Sequence, residues 1–374
     1  MTVAIDMVGT YIGSGTRTYN LNFCKYINSK ELKKNIYIFV TKDYLKDLNT
    51  NTNPNIKYVI KSNIYTNIFI RILWMQLIFP FQLKRLNIKT LYSPMNIGPI
   101  MLRFFDIKFI LALHSNLPWI YFSKMPGNYF RNIFTKYLME LSIFKCNKLI
   151  VDSEFAKKEI VETLRINEDK VNVIYLGVDE KYLLSENKNY LKDFDYKDYI
   201  ISVLSCVKYH NIINLLKAFK MLKSEKKINL RFVLVLQILD KNYFNEITKF
   251  IKENFEKNEI IFFHNLNNNY LANLYKQAKF YIFSSYCEVF GLTSLEAMSQ
   301  GCPIIISDKS ALPEINGEAA EYFNPDNIDQ TKKSMEKLIY DTNYRDNLIV
   351  KGNIQFKKYN WKKTVNETLD ILGI

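Results

Sequence analysis

The stretch FYIFSSYCEVFGLTSLEAMSQGCP, residues 280–303, holds an apolar run, a polar loop, a glycine and an amphipathic helical pattern in succession. The apolar run predicts a buried strand, and the helix is predicted to begin near Leu292, directly after Gly291. Two carboxylates stand eight residues apart, Glu288 on the loop and Glu296 one turn inside the helix. Strand, loop and helix in this order are typical of an α/β domain, whose ligands bind beyond the carboxyl ends of the strands.

Short apolar runs alternate with longer helical patterns on both sides of this stretch. One series fills residues 1–180, and a second runs from residue 199 to residue 352. The polar segment SENKNYLKDFDYK, residues 185–197, lacks apolar periodicity and is predicted to be a linker. Because strands and helices alternate, each series predicts a mostly parallel sheet with helices on both faces. The expected fold class is α/β, with two doubly wound Rossmann-like domains facing a cleft, and the length of 374 residues suits two domains.

The carboxylates and the helix start have a chemistry that suits a nucleotide-linked ligand. The free N–H groups of Leu292 and Thr293 would cradle a diphosphate, and Gly291 would let it come close. Glu296 could accept both hydroxyls of a ribose, and Glu288 would reach toward a sugar ring. Two solvated charges are the alternative, but apolar residues flank both carboxylates, and buried carboxylates need partners.

Composition narrows the class of protein further. Five scattered cysteines without a C-x-x-C pair indicate a reducing compartment rather than a disulfide framework. The three histidines show no metal-ligand spacing, so no metal site is expected. The chain opens on a strand-like pattern without a secretory leader, and its most apolar window falls short of a convincing transmembrane helix. We therefore expect a cytoplasmic protein that is soluble or peripheral on a membrane.

The net charge of +14 is unevenly distributed. The first 180 residues hold 24 basic and 14 acidic residues, and no acidic residue lies between Asp47 and Asp106. This bias indicates an anionic partner, namely nucleic acid, an anionic membrane or a phosphate-bearing substrate. The alternative is that the chain is simply rich in Lys and Asn, with little functional meaning. No nucleic-acid-binding motif accompanies the basic residues, so nucleic acid is not the expected partner.

The run EVFGLTSLEAMSQGCP, residues 288–303, resembles the E-x7-E signature of the family 4 (group 1) retaining glycosyltransferases of GT-B fold. The resemblance covers essentially the whole chain, although its pieces in the first half are weaker singly. Further matching pieces are SALPE at 310–314, AAEYFNP at 319–325, GSG at 13–15, His114, LIVDSEF at 149–155, VIYLGVD at 173–179 and WKKT at 361–364.

The resemblance implies a division into two domains. The N-terminal, acceptor-side domain would span residues 1–180 and be completed by a C-terminal helix at residues 358–374 that crosses back to it. The nucleotide-sugar-binding domain would span residues 181–357.

The resemblance also implies roles for residues of the first domain. His114 would contact the donor sugar and act with Glu288 at the catalytic centre; a core-edge histidine bonded to backbone is the alternative. The loop of Gly13 and Gly15 would contact the donor, since free amides at a strained turn suit a phosphate or a sugar. A plain tight turn remains the alternative for this loop.

One loop departs from the family pattern. The first strand of the second domain is usually followed by an Arg (or Ser) and then a Lys, both near the donor phosphates, and here Ser205 and His210 take those places. Lys208 is nearby but out of register. Neutralisation of the phosphates would then depend on His210, Lys208 and the helix amides, although a neutral histidine offers less charge than a lysine.

The function implied is that of a retaining glycosyltransferase, which moves a hexose from a nucleotide-diphosphate sugar to a saccharide acceptor. Neither a metal nor another cofactor is expected. The SALPE and AAEYFNP segments favour mannose or rhamnose, and the setting would be bacterial surface-polysaccharide biosynthesis, such as that of O-antigen. A sugar-nucleotide epimerase of the same fold and a catalytically silent homologue are the alternatives.

A peripheral site on the inner face of the plasma membrane is expected from the first domain. The acid-free window includes a predicted helix over residues 66–85, rich in apolar side chains and flanked by Lys84, Arg85 and Lys89. Basic residues gain free energy near an anionic leaflet, and Trp and Phe sit well at the headgroup level. A lipid-linked acceptor would lie there. An ordinary packed helix is the alternative.

Overall fold

The computed structural model describes residues 2–10, 15–48, 53–179, 182, 198–264 and 266–374. Gly13 and the predicted linker at 185–197 lie outside the described residues.

The chain divides into two compact units. The N-terminal unit comprises residues 1–116, 129–177 and 361–374, and the C-terminal unit comprises residues 117–128 and 178–360. Both main boundaries lie three residues from those predicted, at 177 rather than 180 and at 360 rather than 357. The segment 117–128, predicted within the N-terminal domain, groups with the C-terminal unit. Aromatic packing accounts for this grouping, since the ring centroids of Tyr121 and Tyr286 lie 5.6 Å apart.

The N-terminal unit is built on a parallel sheet with the strand order β3-β2-β1-β4-β5-β6-β7 in the described residues. The strands are β1 (Thr2–Asp6), β2 (Ile36–Thr41), β3 (Ile56–Lys61), β4 (Ile88–Ser93), β5 (Lys108–Leu113), β6 (Lys148–Val151) and β7 (Val171–Val173). The helices are α1 (Gly15–Asn28), α2 (Lys42–Leu45), α3 (Ile68–Leu73), α4 (Phe79–Arg85), α5 (Leu117–Ile120, in the segment of the C-terminal unit), α6 (Tyr129–Lys145) and α7 (Glu154–Leu164). The strand order reverses beside β1, as it does in doubly wound folds.

The C-terminal unit is built on a second parallel sheet with the order β10-β9-β8-β11-β12-β13. The strands are β8 (Tyr199–Cys206), β9 (Arg231–Ile238), β10 (Ile260–His264), β11 (Tyr281–Phe283), β12 (Ile304–Ser307) and β13 (Ala320–Phe323). The helices are α8 (Ile212–Lys226), α9 (Lys241–Asn254), α10 (Asn268–Gln277), α11 (Leu292–Ser299), α12 (Leu312–Asn316), α13 (Ile328–Tyr340), α14 (Thr342–Gln355) and α15 (Trp361–Leu372, which belongs to the N-terminal unit). The expected α/β class with two Rossmann-like domains is confirmed.

The order of the second sheet reverses between β8 and β11, which are hydrogen-bonded neighbours. The loops that follow these two strands therefore leave the sheet side by side. In the first sheet the neighbours β5 and β6 likewise bring the loops after Leu113 and Val151 together. Each pair of loops carries residues that the sequence singles out.

The predicted helix over residues 66–85 is interrupted in the structure. A π-helical turn over Trp74–Ile78 separates α3 from α4, and Pro80 lies in the first turn of α4. Because proline has no N–H, it cannot donate the hydrogen bond that a continuous α-helix needs at this position. The π turn accommodates this break.

The C-terminal helix α15 completes the N-terminal unit. Trp361 is 1% exposed, and the Thr364 hydroxyl donates to the Tyr175 carbonyl oxygen at 2.6 Å. Burial of the tryptophan and this hydrogen bond secure the helix.

Candidate active site

The loops after β8 and β11 are joined by hydrogen bonds. The Ser284 hydroxyl donates to the His210 carbonyl oxygen at 2.7 Å, and the Tyr286 amide donates to the Tyr209 carbonyl oxygen at 2.9 Å. These bonds bring His210 next to Glu288, with 3.2 Å between His210 Nε2 and Glu288 Oε1. The sequence singled out both residues, but it did not predict their contact.

The hydrogen bonds of His210 determine where its protons lie. Nδ1 lies 2.6 Å from the Ser205 carbonyl oxygen, which only accepts, so Nδ1 carries a proton. An ionised Glu288 also only accepts, so its contact with Nε2 requires one proton shared between the two side chains. The pair is then neutral overall, either as imidazolium with carboxylate or as imidazole with carboxylic acid. The positive charge of His210, when present, is matched by Glu288.

Ser205 and Lys208, unlike His210, have side-chain partners other than Glu288. The Ser205 hydroxyl lies 3.4 Å from Gln237 Oε1. Lys208 Nζ lies 3.5 Å from a Glu246 carboxylate oxygen, and both of these side chains are about half exposed. No contact in the described residues joins Lys208 to Glu288, and a surface pair of this kind holds a lysine only weakly.

The backbone at Gly291 requires glycine. Its φ is +92°, and a Cβ there would lie 2.7 Å from Leu312 Cδ2. Helix α11 begins at the next residue, and the geometry of a helix leaves the amides of Leu292 and Thr293 without intrahelical acceptors. The Thr293 hydroxyl lies 2.8 Å from the Tyr281 hydroxyl. The helix start therefore presents N–H groups and a fixed side chain where the sequence predicts a diphosphate.

The loop that carries Glu288 is fixed by the SALPE segment. The Glu288 amide donates to the Ser310 hydroxyl at 2.9 Å, and the Ala311 amide donates to the Glu288 carbonyl oxygen at 3.1 Å. Ser310 has a φ of +55°, a strained conformation for a serine. The sequence contained this segment as a family feature but did not indicate that it positions Glu288.

Glu296 lies in an environment that disfavours its charge. Desolvation by burial is the main cause that raises the pKa of Glu296 to about 7; hydrogen bonds from the Tyr182 and Tyr275 hydroxyls oppose the rise, and the nearby charge of Asp179 adds to it. Part of the side chain remains exposed. Near neutral pH the carboxyl group is therefore present in both forms, and the ionised form is the stronger acceptor of hydroxyl hydrogens.

His114 and Asp152 meet in the N-terminal unit. His114 Nδ1 lies 3.0 and 2.9 Å from the two Asp152 carboxylate oxygens, and the side chains are 7% and 2% exposed. The Tyr19 ring lies 4.4 Å from the imidazole, centroid to centroid. Asp152 stands in the LIVDSEF piece, but no sequence signal assigned it a role.

Gly15 is the first residue of α1. A Cβ at this position would meet nothing within 4 Å, so packing in the described residues does not require glycine here. Its predicted contact with a donor stays a prediction.

Within the described ranges, no three His, Cys, Asp or Glu side chains are grouped so that they could hold a metal ion. None of the helices in the described part of the chain has the length and apolar character that a membrane crossing needs.

Comparison with known proteins identifies the class. The family model "Glycosyl transferases group 1" matches residues 185–355, and the model "Glycosyltransferase Family 4" matches residues 15–182. A solved structure of HepE from Anabaena with UDP-glucose has a TM-score of 0.77 and 13% identity, and the match covers 99% of this chain and 100% of that chain. Fold and motifs thus define a GT-B glycosyltransferase scaffold. The chain belongs to the group 1, family 4 glycosyltransferases.

Curated relatives are similar at low identity. The O-antigen chain mannosyltransferase RfbU of Salmonella typhimurium is 22% identical over 67% of this chain and 65% of its own length. The serotype-specific mannosyltransferase WbdA of Escherichia coli is 25% identical over 70% of this chain, but only 33% of WbdA is matched. A Campylobacter jejuni N-acetylgalactosaminyltransferase, whose name includes a diphospho-undecaprenol acceptor, is 24% identical over 73% of this chain and 72% of its own length.

The raised pKa of Glu296 predicts a pH-dependent loss of stability. Between its ordinary value of 4.5 and about 7, the folded chain holds a proton that the unfolded chain has lost. Raising the pH through this window therefore lowers the free energy of unfolding, by up to about 3 kcal/mol. Glu296→Gln removes this titration, so its stability relative to wild type should rise from pH 5 to pH 8, measured by denaturant unfolding.

A matched control is Glu318→Gln, since the Glu318 side chain is 88% exposed. It should give the same stability difference from wild type at both pH values. A pH-independent difference for Glu296→Gln would contradict the assignment.

Proposed function

We propose that the chain is a retaining glycosyltransferase that moves a hexose from a nucleotide-diphosphate sugar to a lipid-linked saccharide acceptor in surface-polysaccharide biosynthesis. The observation that carries this proposal is the arrangement of Glu288, Gly291 and Glu296 around the start of α11. A loop carboxylate, a glycine with positive φ and a partly desolvated carboxylate one turn into the helix together suit a sugar, a diphosphate and a ribose.

The donor diphosphate binds at the amides of Leu292 and Thr293. Negative charge grows on this group as the anomeric bond breaks, and preorganised N–H groups stabilise such charge without reorganisation. Lys208 is exposed and only weakly paired, so it can turn toward the phosphates. The leaving phosphate takes the proton of the acceptor hydroxyl, which attacks from the same face and so retains the anomeric configuration.

Glu288 binds the sugar, and His210 holds Glu288 in place. The proton that this pair shares keeps the site free of a net negative charge that would repel the diphosphate. Glu296 accepts the ribose hydroxyls in its ionised form. Because two donated hydrogen bonds stabilise the carboxylate, nucleotide binding releases protons near pH 7.

The donor sugar is of the mannose or rhamnose type. This choice is supported by the names of RfbU and WbdA and by the SALPE and AAEYFNP segments. The reaction needs no metal, because helix amides and side-chain cations supply the electrophilic groups.

The test is the release of nucleoside diphosphate from a panel of sugar nucleotides, with bacterial membrane extract as acceptor and a chelator in excess. We expect turnover of a mannose- or rhamnose-type donor, unchanged by the chelator, and a product with retained configuration by NMR. Activity that needed manganese or magnesium would contradict metal independence. Binding without any turnover would indicate a catalytically silent homologue.

Substitution of the two carboxylates, Glu288 and Glu296, should affect different kinetic and binding quantities. Glu288→Gln keeps an acceptor toward His210 but loses the charge near the sugar, so turnover should fall tenfold or more while nucleoside-diphosphate affinity stays within about twofold. Glu296→Gln should weaken nucleoside-diphosphate binding, measured by calorimetry. Equal loss of nucleotide affinity in both variants would refute this division of roles.

The N-terminal unit has a surface that suits a membrane. On α3, the π turn and α4, several apolar side chains are more than 45% exposed: Phe69, Leu73, Leu77, Ile78 and Phe81. Trp74 and Phe79 are buried, so this region both packs into the core and presents an apolar face.

Helix α6 adds a second apolar face that the sequence did not indicate. Its exposed side chains follow a helical spacing at Phe130, Ile133, Phe134 and Tyr137. Both regions contact Gly98, because the Gln76 side chain donates to its carbonyl oxygen and the Ser142 hydroxyl accepts from its amide. The two regions therefore both pack against Gly98. The proposed membrane contact is made by their exposed apolar side chains, at the cytoplasmic side.

The basic residues of this region are also divided between the core and the surface. Arg71 is buried, with Nη2 3.8 Å from Asp6 Oδ2, so it does not add to the surface charge. Lys84, Arg85 and Lys89 are exposed. These three cations favour an anionic leaflet.

Vesicle co-sedimentation tests the membrane surface. Binding to anionic vesicles should exceed binding to neutral ones and should weaken in high salt. Lys84→Glu with Arg85→Glu, and separately Phe130→Ser, should each reduce binding several-fold, because they remove attraction and insertion respectively. Val350→Ser, on the exposed side of α14, is the matched control and should bind as wild type does. Equal binding to both lipid types would refute the proposal.

A further inference from the structure

Only one of the two ring nitrogens of His114 has a hydrogen-bond partner in the described residues. Nδ1 faces both carboxylate oxygens of Asp152, whereas Nε2 is buried and has no hydrogen-bond partner in the described residues. A buried polar atom without a partner costs free energy, so a ligand group that hydrogen-bonds to Nε2 would relieve that cost.

The aspartate determines which nitrogen carries the proton. An ionised carboxylate only accepts hydrogen bonds, so Nδ1 must donate, and in the neutral ring Nε2 then presents its lone pair. An imidazolium would instead place a charged N–H, without an acceptor, in a buried position, which costs more than an unpaired lone pair.

Three further elements prevent the ring from turning. The Tyr19 ring from α1 lies against the imidazole at 4.4 Å. The Tyr19 hydroxyl lies 2.5 Å from the Tyr92 hydroxyl of β4 and hydrogen-bonds with Thr368 of α15. The imidazole is thus held from one side by Tyr19 and at Nδ1 by Asp152.

We propose that Asp152 is a positioning residue that holds His114 as the Nδ1–H tautomer, so that Nε2 accepts a hydrogen bond from a hydroxyl group of the donor sugar. This proposal rests on the proposed function. It fixes the direction of the hydrogen bond, because the partner of Nε2 must be an O–H donor and not a phosphate or carboxylate oxygen. A site built to bind a hydroxyl discriminates strongly against an analogue that lacks it, because its own polar group is then left unpaired.

The tautomer can be measured without any activity. The chain has three histidines, so long-range ¹H–¹⁵N spectra of the full chain with ¹⁵N-labelled histidine give three ring patterns, and His114→Gln assigns one of them. We expect a protonated Nδ1 and an unprotonated Nε2 in wild type at pH 7.5. In Asp152→Ala the proton should move largely to Nε2, while Asp106→Asn, at a 96% exposed aspartate, should change nothing.

Two results of this measurement would overturn the proposal. One is an Nε2–H tautomer or an imidazolium in wild type, and the other is an unchanged His114 pattern in Asp152→Ala. If the alanine variant does not fold, Asp152→Asn keeps the side-chain volume, and the wild-type spectrum alone still decides the tautomer.

Kinetics then test whether the aspartate acts through the histidine. His114→Ala and Asp152→Asn should each lower kcat/KM for the donor tenfold or more, and the double variant should be no worse than His114→Ala. Nucleoside-diphosphate affinity should be unchanged in all three. Additive losses would overturn the positioning role. If wild type turns over no donor at all, the proposed function and the sugar contact fail, and the spectra still decide the tautomer and the positioning role of Asp152.

Discussion

The hydrogen bonding of β8 to β11 at the centre of the second sheet is the constraint on which the candidate active site depends. Parallel strands present all their carboxyl ends at one edge, and the strand order reverses between these two strands. The loop that carries His210 and the loop that carries Glu288 must therefore emerge together. The contact between the two side chains follows from sheet topology and not from any local preference of either loop.

The same edge explains the electrostatics of the site. His210 is buried and Glu296 is desolvated by burial, so charge is costly at this edge. The chain limits that cost in two ways, by a shared proton between His210 and Glu288 and by a pKa of about 7 for Glu296. Under the proposed function, the donor diphosphate would meet helix amides and a neutral pair rather than two uncompensated carboxylates.

The sequence predicts best what depends on local pattern. The start of α11 at Leu292 and the two alternating series of strands and helices agree with the structure, because apolar periodicity and helix-start signals are read within a few residues. Contacts between distant loops escaped prediction: His114 with Asp152 and His210 with Glu288 each depend on which strands are neighbours. The pKa of Glu296 also escaped, since it depends on burial in the folded chain and on Tyr182 and Asp179, which are remote in sequence.

The helical region around Trp74 places some of its apolar side chains in the protein core and others on the exposed surface. The Phe79 amide donates to the Trp74 carbonyl oxygen, five residues back, so the π turn contains one residue more than an α-helical turn. An extra residue rotates the following helix by roughly 100° relative to the preceding one. In a continuous helix Trp74 and Phe79 would lie roughly 140° apart, and the extra residue brings them to within roughly 40° of each other. Both are buried, while Leu73, Leu77 and Phe81 are exposed. Packing into the core and presentation of an apolar face are therefore not competing explanations for this segment, because the break at Pro80 makes both possible at once.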